Sequence, residues 1–120
     1  MAIDKTIQCY AYANEQDSVR LKLISNQTTM TGDLTYNLSG KDRNTGTLVG
    51  QMNGDTLLAE YTFQSEGTES VREVAFLMKE NGLVEGYGNV WERAGKMVFE
   101  NKSSLTFEAN RVLAKTDCRE

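Results

Sequence analysis

The stretch Met30-Thr31-Gly32-Asp33-Leu34-Thr35-Tyr36-Asn37-Leu38-Ser39 alternates strictly between two kinds of residue. Every even position is apolar, aromatic or glycine, and every odd position is polar. Successive side chains of a β-strand point to opposite faces, so a period of two indicates a strand with one face in the interior and the other in water. Strands that are half exposed in this way are typical of antiparallel sheets.

The same alternation continues on both sides of this stretch, with turn signals between the segments. It recurs in Val19–Leu23 and Leu57–Phe63, and less cleanly in Val74–Met78. The strongest turn signals are Asn53-Gly54 and Asn81-Gly82, because Asn-Gly accepts the positive φ angles of a type I′ hairpin. Weaker turns are predicted at Glu15-Gln16-Asp17, Ser25-Asn26-Gln27, Gly40 to Asn44, Glu66 to Glu69, and Ala94-Gly95.

These signals predict a single domain over residues 1–120 with about eight strands. The strands are expected at roughly 6–14, 18–25, 28–39, 45–53, 56–66, 70–79, 82–91 and within 104–117, with a short extra piece at Lys96–Glu100. Sequential hairpins without crossover helices favour an all-β fold, a single up-and-down antiparallel β-barrel of lipocalin-like form. Glycines inside strands are expected where the sheet bends or a neighbouring backbone approaches: Gly32, Gly46, Gly50, Gly86 and Gly88.

Two absences narrow the chemistry, because the chain has neither histidine nor proline. Without histidine, Ser-His-Asp and Cys-His catalysis and His-ligated zinc or haem are excluded within the chain. The carboxylates Glu66, Glu69 and Glu73 are interpreted as a solvated edge rather than an acid/base pair. The loop residues Asp42, Asn44 and Asp55 are interpreted as turn residues rather than calcium ligands. We therefore predict a protein that is not an enzyme and that holds no cofactor and no metal.

The charge pattern argues against a nucleic-acid partner. Thirteen Lys and Arg stand against 17 Asp and Glu, giving a net charge of −4, and the basic residues are scattered. No run of 18 apolar residues occurs that would span a membrane as a helix. The start, Met1–Lys5, is too polar for a secretory signal peptide, so the chain is expected either to be cytosolic or to have lost a signal. Its oligomeric state stays open.

The two cysteines lie near opposite ends of the chain, at Cys9 and Cys118, without CxxC or metal-ligand spacing. One interpretation is a pair of unrelated buried thiols, since free cysteine behaves as a small hydrophobic residue. The favoured interpretation is a disulfide, because closing a barrel brings its first and last strands side by side.

Three stretches resemble a family of small cell-envelope lipoproteins of Bacteroidota. They are GDTLLAEYTFQSEG at Gly54–Gly67, ESVREVAF at Glu69–Phe76 and YNLSGKDRNTGT at Tyr36–Thr47, and the resemblance extends over nearly the whole chain. It implies a lipocalin-like (calycin) barrel in the periplasm or cell envelope, with membrane contact only through a lipid anchor. Members usually carry a lipoprotein signal, which this sequence lacks, so that signal is expected to have been removed. The resemblance implies no activity and no functional residues.

Two groups of predicted inward side chains form the candidate site. Ser65 and Arg72 share the phase of apolar neighbours near one barrel mouth, with Glu85 as a candidate partner on the next strand. An inward arginine is either an anchor for an anionic ligand or half of a structural ion pair. The second group would line an apolar pocket or fill a solid core: Met30, Tyr36, Met52, Tyr61, Phe63, Phe76 and Met78.

Three further aromatic residues are predicted to lie outside the candidate site. Tyr10 and Tyr12 are expected outside the barrel or near its seam, and Trp91 either caps a mouth or anchors packing. We predict a cell-envelope barrel that binds a small hydrophobic or weakly anionic ligand in its interior. The alternative is a protein-interaction or inhibitor module with a solid core, which acts through exposed loops around Gly67 or Gly40 to Asn44.

Overall fold

The computed structural model describes residues 5–26 and 28–118, which form ten strands and one short 3₁₀ helix. The strands are β1 (Lys5–Ala13), β2 (Ser18–Asn26), β3 (Thr29–Asn37), β4 (Asn44–Asn53), β5 (Thr56–Ser65), β6 (Thr68–Lys79), β7 (Gly82–Tyr87), β8 (Val90–Arg93), β9 (Lys96–Phe99) and β10 (Thr106–Thr116), and the 3₁₀ helix is Lys102–Ser104. In this described part no helix is long and apolar enough to cross a membrane. The polar start at residues 1–4 and Gln27 of one predicted turn lie outside the described residues.

Eight of the strands close into an antiparallel barrel, as the alternation predicts. Its order is β1-β2-β3-β4-β5-β6-β7-β10, and pairing of β10 with β1 completes the circle. Apart from the final neighbour, which is β10, each strand pairs with the next one along the chain, so the up-and-down topology is confirmed. The first and last strands meet, and Cys9 and Cys118 form the predicted disulfide with their Cα atoms 5.2 Å apart.

The middle of the barrel interior is filled by buried side chains. Ten side chains there are at most 1% exposed: Val19, Leu21, Leu34, Leu48, Leu57, Tyr61, Val74, Phe76, Leu83 and Leu113. All seven aromatic and methionine residues predicted to point inward belong to this interior cluster or pack against it. Of the two places expected for Tyr10 and Tyr12, the outside of the barrel is wrong, because Tyr10 is 5% exposed in the cluster and Tyr12 packs against it. The seam is where Tyr10 lies, since it pairs with Lys115 of β10.

Strand glycines allow neighbouring backbones to come unusually close. At Gly46 on β4, an added Cβ would meet the carbonyl oxygen of Thr62 and would lie 2.6 Å from Cα of Phe63, both on β5. Real Cβ atoms do not tolerate such contacts, so glycine here lets the two strands approach each other. Gly88 is an exception to the prediction, because it lies in the connection between β7 and β8 and not within a strand.

The hairpin turns are in the predicted places, but their details differ. At the two Asn-Gly pairs the two-residue loops are Gly54-Asp55 and Glu80-Asn81, each one residue away from the predicted pair. The positive φ angles that type I′ turns require occur instead at Glu66-Gly67 (53° and 78°) and Ala94-Gly95 (54° and 82°). A glycine in the second loop position is thus the feature these two turns share.

The strand predicted over 82–91 is broken, and the chain after it leaves the barrel. β8 and β9 form a hairpin that is joined to β6 by one parallel bridge, Arg72 to Met97. Phe99 is buried outside the interior cluster, as are Ala75 of β6 and Val84 of β7, so the 88–107 segment covers part of the outer barrel wall. Both expectations for Trp91 are wrong, since it is 48% exposed on β8 and Arg93 lies against its ring.

Candidate functional site

A cavity of about 500 Å³ opens at the barrel end where β3 finishes and β4 begins. We call it the Arg72 pocket; its lining is Tyr36, Leu38, Lys41, Asp42, Asn44, Phe63, Ser65, Arg72, Glu85, Tyr87 and Arg111. The solid middle of the barrel lies beneath it. The interior therefore combines the two predicted alternatives, because a packed core fills its middle and a pocket opens at one mouth.

Arg72 points into this mouth, as its phase on β6 predicts, and three aromatic rings surround its guanidinium. The distances from Cζ to the ring centroids are 5.4 Å for Tyr36, 5.9 Å for Tyr61 and 5.8 Å for Phe63. These are cation–π distances, and such contacts stabilise a cation most when it is shielded from water. Nε of Arg72 is buried, and it has neither a hydrogen-bond partner nor a salt bridge among the described residues.

Glu85 of β7 is the buried acid of the pocket, with only 5% of its surface exposed. Its Oε2 accepts a hydrogen bond of 2.8 Å from the hydroxyl of Tyr36, whereas its buried Oε1 has no partner among the described residues. Burial raises the pKa of Glu85, while the hydrogen bond from Tyr36, the charges of Arg72 and Arg111 and the neighbouring hydroxyl of Tyr87 oppose that rise. The predicted partnership of Glu85 with Arg72 is thus electrostatic, without a direct salt bridge.

Tyrosine and phenylalanine rings form the floor of the pocket. The hydroxyl of Tyr61 donates a 2.7 Å hydrogen bond to the carbonyl oxygen of Leu34, which fixes a ring that is fully buried. Phe63 stacks on Tyr61 at 4.9 Å, and Tyr36 meets Tyr61 at 5.9 Å with tilted planes. Burial raises the pKa values of both tyrosines, so their hydroxyls remain protonated donors at neutral pH.

Two more cations line the pocket, and neither is among the predicted site residues. Arg111 of β10 lies over the ring of Tyr12 at 5.8 Å, and Lys41 comes from the loop between β3 and β4. A usable signal for Arg111 exists in the sequence, since it lies two positions before the fully buried Leu113. The register of β10 against β7 shifts between Phe107 and Val112, so strict alternation along β10 does not predict which of its side chains point inward.

The structure divides the nine predicted ligand contacts into two groups. Five of them meet in or directly beneath the Arg72 pocket: Tyr36, Tyr61, Phe63, Ser65 and Arg72. The other four, Met30, Met52, Phe76 and Met78, pack lower in the barrel, and the three methionines lie toward its opposite end. Any ligand in the Arg72 pocket would be separated from these methionines by the solid middle of the core.

The acidic residues that follow one another along β5–β6 do not form a carboxylate pair. Glu73 accepts a hydrogen bond from the backbone N–H of Phe99 and forms a 3.1 Å salt bridge with Lys102. Glu66 is fully exposed, and a hydrogen bond with Asp42 raises its pKa. Within residues 5–26 and 28–118, no three acidic or cysteine side chains are grouped as a metal site would require.

The pocket brings three kinds of chemical group together. It offers hydrogen-bond donors from guanidinium groups, one bare carboxylate oxygen and aromatic walls within one cavity, which is how small-molecule pockets are usually composed. A comparison of the chain with known protein families, curated proteins and solved structures finds no match.

Proposed function

We propose that the protein is a non-enzymatic barrel that binds a small, weakly anionic ligand with an apolar body in the Arg72 pocket. One observation carries the proposal: two buried polar atoms, Nε of Arg72 and Oε1 of Glu85, belong to the lining of the same cavity, and neither has a partner among the described residues. A buried donor or acceptor left without a partner costs roughly 1–3 kcal/mol, and more when it is charged. A ligand in the pocket removes this cost by supplying the missing partners.

The size of the cavity supports a small molecule. Ligand pockets typically enclose about 300–1,000 Å³, and this one is about 500 Å³. Leu38, Phe63 and the ring of Tyr36 supply apolar contact area, while the three cations of the lining attract an anionic group. The ligand therefore rests at the mouth, above the packed core.

We further place the protein in an extracytoplasmic compartment, as a lipocalin-like member of the Bacteroidota lipoprotein family that its sequence resembles. The Cys9–Cys118 disulfide fits an oxidising setting such as the periplasm or cell envelope, because structural disulfides are rare in the cytosol. The periplasmic location and the loss of a lipoprotein signal are part of the same proposal.

Native mass spectrometry of the protein purified from its own cell envelope tests the function. We expect a co-purifying small molecule, lost in Arg72→Gln and kept in Arg20→Gln. Arg20 is an exposed arginine on the outer face of β2, so it matches the charge change without touching the pocket. Chemical-shift changes on adding back the extracted molecule should map to Tyr36, Phe63 and Glu85. A protein that carries no small molecule and takes up none from the extract would contradict the proposal.

The alternative, a protein-interaction or inhibitor module, has one observation in its favour. The two loops that it would use meet at the same mouth, since Asp42 lies close enough to Glu66, beside Gly67, to raise the pKa of that carboxyl. It predicts that a purified protein partner loses affinity when residues 40–44 are replaced by Gly-Ser sequence, and keeps it in Arg72→Gln. The small-ligand proposal predicts that the affinity for its ligand is reduced by Arg72→Gln.

A further inference from the structure

Resting on the proposed function, we infer that the ligand of the Arg72 pocket is a small carboxylic acid that also carries a hydroxyl group, bound with its carboxylate toward the guanidinium groups and its hydroxyl toward Oε1 of Glu85. The pocket contains two kinds of group without a hydrogen-bond partner, a guanidinium donor and a carboxylate acceptor, and they need opposite partners.

The arginines require an acceptor. A guanidinium has five N–H donors and no acceptor, and it pairs best with a planar oxyanion such as a carboxylate. The three rings around Arg72 shield its guanidinium, and no carboxylate of the described residues forms a salt bridge with it. Arg111 adds a second guanidinium to the same lining. The ligand group that suits both is a carboxylate.

Glu85 requires a donor. An ionised carboxylate only accepts hydrogen bonds, and the Tyr36 hydroxyl satisfies Oε2 but not the buried Oε1. A simple fatty acid or aryl acid would leave Oε1 without a hydrogen-bond donor. A ligand with its own O–H group supplies the missing donor.

The balance of charge selects a hydroxyl over an ammonium group. The lining holds three cations, Lys41, Arg72 and Arg111, and two carboxylates, Asp42 and Glu85, so its net formal charge is 3 − 2 = +1. A hydroxy acid with a charge of −1 neutralises the pocket, whereas a zwitterionic amino acid leaves the excess positive charge in place. Burial disfavours uncompensated charge, so the monoanion is the better match.

The geometry places the two functions close together on the ligand. Tyr36 contacts both anchors, because Arg72 lies over its ring at 5.4 Å and its hydroxyl bonds to Glu85 at 2.8 Å. A hydroxyl close to the carboxylate can therefore reach Glu85, while an apolar tail lies along Leu38 and Phe63.

Isothermal titration calorimetry with three matched probes tests this assignment: 3-hydroxydecanoate, decanoate and 1,3-decanediol. We expect 3-hydroxydecanoate to bind at least about tenfold more tightly than either probe that lacks one group, since a hydrogen bond to a charged partner has about that effect. Arg72→Gln should weaken both acids by at least about tenfold and leave the diol unchanged. Glu85→Gln should strengthen decanoate and lower the preference for the hydroxylated acid by at least about threefold.

Matched controls keep the result specific. Arg20→Gln and Glu80→Gln remove the same charges at exposed positions and should change no affinity. If Arg72→Gln does not fold, as judged by its circular dichroism and thermal transition, Arg111→Gln tests the same carboxylate contact. Equal binding of decanoate and 3-hydroxydecanoate would overturn the inference, as would failure of all three probes. Both outcomes are distinguishable from failure of the proposed function, which native mass spectrometry measures without any assumption about the ligand.

Discussion

Removal of the Cys9–Cys118 disulfide should cost the protein much of its stability, because the bridge encloses nearly the whole chain. The two cysteines are 109 positions apart. The loop-entropy relation for a closed loop of this length gives a stabilisation of roughly 4.8 kcal/mol at 25 °C, as an upper figure. Single domains are stable by only about 5–15 kcal/mol, so the predicted loss is a large fraction of the total.

The structure also indicates which strands should lose stability first when the disulfide is removed. β1 and β10 pair through three residue pairs, Cys9 to Thr116, Tyr10 to Lys115 and Ala11 to Ala114, whereas β1 and β2 pair through nine. The seam that the disulfide closes is therefore the shorter of the two pairings that hold β1. Amide protons of β1 and the end of β10 should exchange faster after reduction, well before those of β3 and β4.

Urea unfolding of the double variant Cys9→Ala/Cys118→Ser, beside wild type with and without reductant, measures the effect. Alanine suits the half-buried Cys9, and serine suits the exposed Cys118. We expect both the variant and the reduced protein to lose about 3–5 kcal/mol, with a larger dependence on urea, since the uncrosslinked denatured chain exposes more surface. Losses below about 1 kcal/mol in both would refute the reasoning that the bridge acts on the unfolded chain.

Three further predictions concern the site and the sheet. Burial raises the pKa of Glu85, so the folded state binds the proton of this carboxyl more tightly than the unfolded chain does, and the free energy of unfolding should fall as pH rises above 4.5 through the raised pKa. The urea midpoint should therefore drop more between pH 5 and 8 in wild type than in Glu85→Gln, and equal drops would contradict this prediction. Tyr61→Phe removes the buried hydrogen bond to Leu34 and should lower the unfolding free energy by about 1–2 kcal/mol, and an unchanged value would mean that this bond adds nothing. Gly46→Ala forces a Cβ against the β5 backbone at Thr62 and should cost about 1–3 kcal/mol or more in the same assay, and a wild-type midpoint would argue against that contact.

Alternation along the chain was sufficient to predict the barrel and the inward faces of β2, β3, β5 and β6, because the period of two is a local property of the backbone. It placed Arg72 and Ser65 at a mouth correctly. The exact turn residues were less predictable, since the twist and register of the flanking strands decide which two residues form the loop. Gly54 therefore takes the first loop position, where the Asn-Gly signal places it second.

Contacts between side chains across the barrel interior could not be predicted from the sequence. Phase suggested Glu85 as the partner of Arg72 because they lie on neighbouring strands, but the hydrogen bond to Glu85 comes from Tyr36, 49 positions earlier and on the far side of the sheet order. Whether a mouth is filled or empty depends likewise on the summed volumes of side chains from all eight strands. No local sequence pattern predicts that total side-chain volume.

The surroundings of Arg72 explain why the usual inference about an inward arginine fails here. A guanidinium inside a barrel is expected to need a carboxylate, since desolvation of an unpaired charge is costly. Three ring faces offset part of that cost, at about 0.5–2 kcal/mol for each cation–π contact. Arg72 is thereby held in place without closing on Glu85, and Glu85 is held separately by Tyr36. Because each charge has its own support, a cation and an anion lie separately in one pocket, which is the arrangement that the proposed ligand requires.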